Sequence, residues 1–240
     1  MILWTVQPEE VYNNIIQTGV YRCDFSRSGM KDWKMQYDWL VTQMIKRIGE
    51  KPSGTDYPVW AWFKWRGRRK RPDLRSERWL NGWKGERFVC MEIDIPEQQV
   101  LLSDYDAWSI ILLDGLLSDS EAENDLLEKQ YSFLSEEKQK EMKQKNWERV
   151  FDLKVNENDW ITRGSCIQAT FWELHKEQIK KVWSFTAAMP EAREEMFNPY
   201  KPLTREDIIE QLSIARKHAE EGKVMDAHEA SNRIREKYGL

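Results

Sequence analysis

Tyr57-Pro58-Val59-Trp60-Ala61-Trp62-Phe63-Lys64-Trp65 runs directly into Arg66-Gly67-Arg68-Arg69-Lys70-Arg71-Pro72-Asp73-Leu74-Arg75, and this stretch restricts the fold most. Aromatic and β-branched residues suit a pleated surface, so its first half predicts a strand, with Pro58 tolerated only at the first residue or on an edge. Its second half is a cluster of cations closed by a proline. Rings for stacking beside forked guanidinium donors are what a nucleotide, a nucleic acid or a phosphate-bearing cofactor needs. The same pattern also describes a buried strand followed by a solvated charged turn.

At 240 residues the chain has room for one sizeable core and an appendage. With 40% hydrophobic and 32% charged residues it has a globular composition and a very polar surface. A net charge of -4 argues against a general DNA coat, and a local basic patch on an acidic chain implies oriented, targeted contact. Cys23, Cys90 and Cys166 lie far apart, without the paired spacing of a zinc site or a redox dithiol, so neither a metal site nor a disulfide framework is expected. No run approaches the ~18 apolar residues of a membrane span, and the start lacks a basic leader. These features predict a soluble, cytoplasmic protein with no membrane partner.

Along the chain, Ile2 to Val6 predicts a strand, and Pro8 with Glu9 and Glu10 opens a helix that Gly19 stops. Val20 to Cys23 is extended. A second helix spans Asp32 to Ile48, with Trp33, Tyr37, Leu40, Met44 and Ile48 on its core face. After the basic turn, Trp79, Gly82, Trp83 and Gly85 form an aromatic loop fit to cap a pocket. Phe88 to Ile95 alternates as a half-buried strand, with Val89, Met91, Ile93 and Ile95 inward. Val100 to Leu102 is a short strand, and Ser103 or Asp104 caps the helix carrying Trp108, Ile111 and Leu112. Two charged helices fill Ser120 to Val150, the second capped by Ser135 and both docked through Leu126, Leu127, Met142, Trp147 and Val150. Cys166 to Leu174 predicts one strand, His175 to Gln178 a turn, and Ile179 to Phe185 a strand or short helix. Residues 191–203 read as a linker, and 204–240 as a helical hairpin with capping boxes at Thr204 and Asp226.

There is no Gly-rich phosphate loop, no paired metal-binding histidines and no nucleophile elbow, and His175 is the one histidine outside the tail. An ordinary turn histidine accounts for it. Ile2 to Asp24, Tyr57 to Trp62 with Pro72 to Arg75, Val100 to Trp108 and Ile167 to Phe185 together resemble an uncharacterised bacterial domain-of-unknown-function family across residues 1–190. More distantly, Leu3-Trp4-Thr5, the following helix and Thr18-Gly19-Val20 are similar to the opening of ADP-ribosyltransferases, including toxins that modify DNA. Gln168-Ala169-Thr170-Phe171-Trp172, with Ile179 after it, is similar to the segment that carries their catalytic glutamate. This resemblance implies an α+β fold with an ADP-ribosyltransferase-like split β-sheet and flanking helices in residues 1–190. It implies NAD as cofactor and transfer of ADP-ribose to a nucleic acid or protein, in a toxin or anti-phage defence role. On that likeness Trp4 and Thr5 would lie under the nicotinamide ribose, Arg22 on the pyrophosphate, Tyr57 and Trp60 or Trp62 against a ring, and Gln168 on the ribose. Arg68, Arg69, Arg71 and Arg75 would hold target phosphates.

Two positions depart from the pattern. Trp4 stands where a polar residue is expected, and Gln168 where the glutamate is. The reaction builds positive charge on the sugar, and an amide holds a hydroxyl without supplying the opposing charge. By analogy with the loss of one preorganised group, that costs roughly 3 to 4 kcal/mol. Glu173, five residues on, would face the other side of the sheet from Gln168. The departures favour an alternative, a non-enzymatic nucleic-acid or protein-binding module. Leu212 to Arg216, Glu221 to Val224, His228-Glu229 and Arg235 to Leu240 resemble the C-terminal segment of type II antitoxins, which implies a toxin-binding arm in 204–240. An ordinary amphipathic hairpin fits the same residues.

Overall fold

The first strand, β1 (Ile2–Pro8), occupies the middle of a six-stranded antiparallel sheet in a computed structural model that describes residues 1–23, 30–75, 85–158 and 160–188. All of these lie within the unit Met1–Met189. The linker and hairpin expected after residue 190, and Trp79, Gly82 and Trp83, lie outside the described residues. The remaining elements are α1 (Glu9–Thr18), β2 (Val20–Arg22), α2 (Lys34–Ile48), β3 (Val59–Lys64), β4 (Arg87–Asp94), β5 (Leu101–Asp104) and α3 (Tyr105–Leu112). Then follow α4 (Glu121–Ser132), α5 (Glu136–Trp147), β6 (Asn156–Glu157), β7 (Thr162–Arg163), β8 (Ile167–Phe171), β9 (Glu173–His175) and β10 (Ile179–Thr186). The protein is α+β.

The sheet order is β10-β4-β1-β3-β8-β5. β1 pairs with β4 along its whole length, from Ile2 opposite Asp94 to Pro8 opposite Phe88. β3 pairs with β8 from Val59 opposite Phe171 to Trp62 opposite Gln168, with a bulge before Lys64. Between these ladders, β1 and β3 meet in register at the single pair Trp4 and Trp62. The sheet therefore consists of two three-stranded halves, β10-β4-β1 and β3-β8-β5, joined at a narrow seam. A hydrogen bond of 2.7 Å from Thr5 Oγ1 to the Trp60 carbonyl adds a second tie across it.

Because side chains alternate along a strand, each face of this sheet has its own cover. On the back face, Leu3, Val59, Ala61, Val89, Met91, Ile93, Ala169 and Phe171 pack with Ile15 of α1 and Leu174 of β9. Each of the larger side chains here, the Leu, Val, Ile, Met and Phe residues, contributes about 1.5–3 kcal/mol when fully buried. The front face is covered in two parts. Over the β3-β8-β5 half, Leu101 and Trp60 meet Tyr37, Leu40 and Met44 of α2, Ala107, Trp108 and Ile111 of α3, and Trp147. Over the other half, Trp4 and Cys90 are covered by Leu74 from the segment after the basic turn, with Val6, Trp183 and Phe185 around them.

The predicted alternation in β4 and the left-handed stop at Gly19, with φ of 85°, are as expected. Four expectations need correction. Trp33 belongs to a short 3₁₀ turn ahead of α2 and is 39% exposed, because that turn carries it off the core face. Leu126 is 61% exposed, since α4 buries no residue at all. Ser135 stands at the start of α5 without a side-chain capping bond, whereas Ser120 caps α4 through the Glu123 amide. Cys166 to Leu174 is two strands: after β8 the chain passes through Trp172 and pairs instead with β2 as β9. Ile179 to Thr186 is a strand. No helix of the described residues is long and apolar enough to cross a membrane.

The buried hydroxyls and thiol around the two front-face clusters are held neutral. Burial pushes Tyr37 up to about 12, burial and the hydrogen bond to Asp38 push Tyr57 to about 12, and burial pushes Cys90 to about 12. Folded protein thus holds these protons where unfolded chain releases them, so stability falls as pH rises from about 9 to 12. Urea midpoints at pH 8 and 11 should show this loss, on the order of 1 kcal/mol for Tyr37 alone, and Tyr37→Phe should reduce the difference between the two pH values.

Candidate functional site

Facing residues in an antiparallel ladder put their side chains on the same side of the sheet. Glu92 faces Trp4, Trp4 faces Trp62, Trp62 faces Gln168 and Gln168 faces Ser103, so these five form one row across the front face. The ends of the polar part are closed: Trp4 is 7% exposed and Ser103 1%. Its middle, Trp62 and Gln168, is half-buried. β1 and β8 are one strand apart, so Trp4 and Gln168 lie about 10 Å from each other across Trp62.

This row is where buried polar groups lack partners. Trp4 Nε1, Gln168 Oε1 and Ser103 Oγ make no hydrogen bond among the described residues, and neither do the neighbouring Trp60 Nε1 and Trp65 Nε1. Buried polar atoms are nearly always paired, and leaving one unpaired costs about 1–3 kcal/mol. All five of these atoms are themselves buried, as are the likewise unpaired Thr55 Oγ1 and Arg163 Nε outside the row, so the part of the row open to a ligand is the half-buried pair Trp62 and Gln168. Aromatic rings frame it: Trp62 lies 4.5 Å from Trp65 and 5.2 Å from Tyr105, centroid to centroid.

The basic segment is anchored by a two-residue turn. Arg66 at φ 49° and Gly67 at φ 74° are both left-handed, and Trp65 and Arg68 exchange backbone hydrogen bonds of 3.0 Å, the geometry of a type I′ hairpin. From there the chain crosses half the sheet. The Arg69 guanidinium lies 4.2 Å from the Phe63 ring of β3, and that of Arg71 4.3 Å from the Trp183 ring of β10. Arg75 is tied to Asp73 through its backbone amide and its guanidinium, which holds the Asp73 carboxyl down at about 2. The four arginines are thus spread out, and Arg75 is neutralised. Arg68 and Arg69 have no carboxylate partner among the described residues, and the charge of Arg71 adds to that of Arg75 in lowering Asp73. Lys70 to Arg75 and Trp183 to Thr186 line an open groove of about 750 Å³.

Of the residues expected to hold NAD, the structure gathers Trp4, Trp62 and Gln168, with Trp60 alongside. It does not bring Thr5, Arg22 or Tyr57 to them. Thr5 follows Trp4 and so faces the back, fully buried and bonded to the Trp60 carbonyl and the Gln7 amide. Arg22 sits on the β2–β9 ribbon in an ion pair with Glu173, whose other oxygen lies 3.4 Å from His175 Nε2. Glu173 is therefore on a different sheet from Gln168. Tyr57 donates 2.8 Å to Asp38 and stands edge-on to Tyr37.

The site also contains groups that local sequence pattern does not single out as functional. Ser103 could have been found by its alternation with Leu101 on β5. Asp104, fully buried, caps α3 by accepting from the Ala107 amide at 2.9 Å and accepts from the Gly164 amide at 2.6 Å. Gly164 has φ 76°, and a Cβ there would come within 2.8 Å of the Val155 backbone, so only glycine fits. Next to Asp104, Asp106 is half-buried on the first turn of α3, and burial, then the charge of Asp104, pushes its carboxyl up from its ordinary value. No three His, Cys, Asp or Glu side chains among the described residues gather to hold a metal ion.

A family described as "Domain of unknown function (DUF3841)" matches residues 2–180. The chain belongs to the DUF3841 family. The match opens at the first residue of β1 and ends within β10, so the seam, the row of unpartnered groups and the basic segment all lie inside the DUF3841 domain. No curated protein and no solved structure matches the chain.

Unpartnered groups should cost stability in the ligand-free protein. Ser103→Ala removes one such hydroxyl without leaving another behind, and should raise the stability of this DUF3841 domain by about 1 kcal/mol. Urea unfolding of the ligand-free protein checks this, and a loss of stability would mean that Ser103 Oγ has a partner within the fold.

Proposed function

We propose that this DUF3841 domain binds a NAD-type dinucleotide on the front face over the β1–β3 seam and transfers its ADP-ribose to a nucleic-acid or protein target. The observation that carries the reading is the half-buried middle of the row, the Gln168 amide and the Trp62 ring, framed by the rings of Trp65 and Tyr105. A nicotinamide carboxamide and ribose hydroxyls need donors and acceptors together, and a flat ring needs an aromatic wall. The narrow join between the two half-sheets supports an ADP-ribosyltransferase-like split sheet. The Arg71 guanidinium, on the same face over Trp183, offers a forked donor for phosphate. The toxin or defence role rests on the sequence resemblance alone.

A second reading has its own support. Arg68 and Arg69, without carboxylate partners among the described residues, and Arg71 on the Trp183 ring suit the backbone of a nucleic acid bound with no chemistry. One set of measurements separates the two. On the first reading NAD quenches the tryptophan fluorescence of the purified protein saturably, nicotinamide is released on incubation, and Gln168→Ala abolishes the quenching or weakens it at least tenfold. Absence of any NAD-dependent quenching, together with an oligonucleotide affinity that falls with salt at a log–log slope of about 3 for three phosphate contacts, would replace it with the second.

A further inference from the structure

Resting on the nucleic-acid reading above, we propose that the open groove between residues 70–75 and 183–186 holds a single nucleic-acid strand, with one base on the Arg71 guanidinium and its phosphate within reach of Lys70. The lining carries three cations, Lys70, Arg71 and Arg75, and one carboxylate, Asp73, an excess of two positive charges. Asp73 is already bonded to the Arg75 guanidinium at 3.1 Å through both of its oxygens. Lys70 is exposed. On a chain of net charge -4, such a local excess in a concave surface is where a polyanion is drawn in.

Arg71 separates a single strand from a duplex. It is half-buried, lines the groove and is held 4.3 Å over the Trp183 ring. Trp183 in turn packs against the buried cluster of Trp4, Leu74 and Cys90, so the core fixes where this guanidinium lies. Unpaired bases stack on arginine planes as they do on aromatic rings. A duplex keeps its base faces covered and cannot use such a platform.

The second wall is a sheet edge. Among the described residues β10 is the outer strand and pairs with β4 alone. Just beyond it, the Ala187 amide donates to the Glu86 carbonyl at 2.8 Å and the Ala187 carbonyl accepts from the Gly85 amide at 3.0 Å. Backbone groups alternate along a strand, so Ser184 and Thr186 turn theirs away from β4. Both residues are exposed and line the groove, and hydroxyls and amides so placed suit phosphate and sugar oxygens. An extended peptide added to this edge would need pockets for alternate side chains. Here the apolar surfaces are already taken: Trp183 lies under Arg71, Phe185 lies 6.0 Å from the Phe88 ring, and Leu74 is 8% exposed. The other end of β10 is blunted by a bulge between Ile179 and Lys181 and by the exposed Lys180 and Lys181.

The test measures fluorescence anisotropy of a labelled mixed-sequence strand of about 12 nucleotides, within the usual site size, as DNA and as RNA, against the same sequence as a duplex and against polyglutamate. The single strand should bind the full chain about tenfold or more tighter than the duplex, the value of one stacked base. Either sugar satisfies the proposal, and the tighter of the two identifies the strand. Lys70→Glu and Ser184→Glu, both at exposed positions, should each weaken binding about fivefold or more, while Lys138→Glu on α5, an equal or larger charge change away from the groove, stays within about twofold. Lys70→Ala should lower the log–log salt slope by about 0.7, one phosphate contact of a single strand. Arg71→Lys keeps the charge and loses the plane, so it should erase the preference for single strand over duplex. If the single strand binds but the groove variants match Lys138→Glu while Arg68→Ala and Arg69→Ala weaken binding, the groove is not the site and the nucleic-acid reading stands. Equal binding of duplex and single strand by the wild type overturns the base platform, and tighter binding of polyglutamate assigns the groove to a protein partner. If no oligonucleotide binds at about 50 mM salt, the groove and the nucleic-acid reading fall together.

Discussion

The pairing of β1 with β3 at Trp4 and Trp62 is the constraint on which the arrangement depends. Both strands are fully committed elsewhere, β1 to β4 along its length and β3 to β8. Where they diverge, side chains rather than backbone bonds must fill the join. The chain meets that demand with indoles and a threonine: Trp4, Trp60 and Trp62 present broad surface on the front, while Thr5 closes the back with a bond to the opposite strand. An indole fills such a space well, but it brings an N–H whose partner must come from somewhere. The unpaired indole N–H groups of Trp4 and Trp60 are a consequence of a join built from tryptophans.

The two coverings of the front face are unlike in kind. α2 and α3 meet the β3-β8-β5 half through a continuous aromatic and aliphatic cluster in which Tyr37 stands edge-on to Tyr57, Trp60 and Trp108. Over the other half the buried cover among the described residues is Leu74, delivered by an irregular segment whose Arg71 lies on the Trp183 ring, while its Arg69 lies on Phe63 of the back-face cluster. Guanidinium groups stacked on rings keep their donors directed outward and their charge unspent. Arg71 over Trp183 and the Trp4–Trp62–Gln168 row lie on the same face of the sheet.

Much of the fold was legible because its signals are local. Period-two alternation from Val89 to Ile95 marked a half-buried strand, and a proline and a glycine bracketed α1. What local pattern does not carry was missed. Cys166 to Leu174 is an unbroken apolar run, and nothing within it says that the chain changes sheets at Trp172. Leu126 lies in a helix of regular appearance whose docking depends on residues far away. In the row, Trp62 and Gln168 were singled out from composition and likeness, and the structure places them opposite each other. The pairing of Arg22 with Glu173, 151 residues apart, and of Tyr57 with Asp38 could not be, since each needs the tertiary fold to bring the partners together.

A single residue separates β8 from β9, and that residue is Trp172, 8% exposed, with its indole N–H donating to the Gly49 carbonyl at 3.1 Å. The strand that bears Gln168, held on both edges by β3 and β5, and the ribbon that bears Glu173 and His175 are therefore consecutive in the chain, and one anchored indole fixes where the backbone leaves the first sheet for the second.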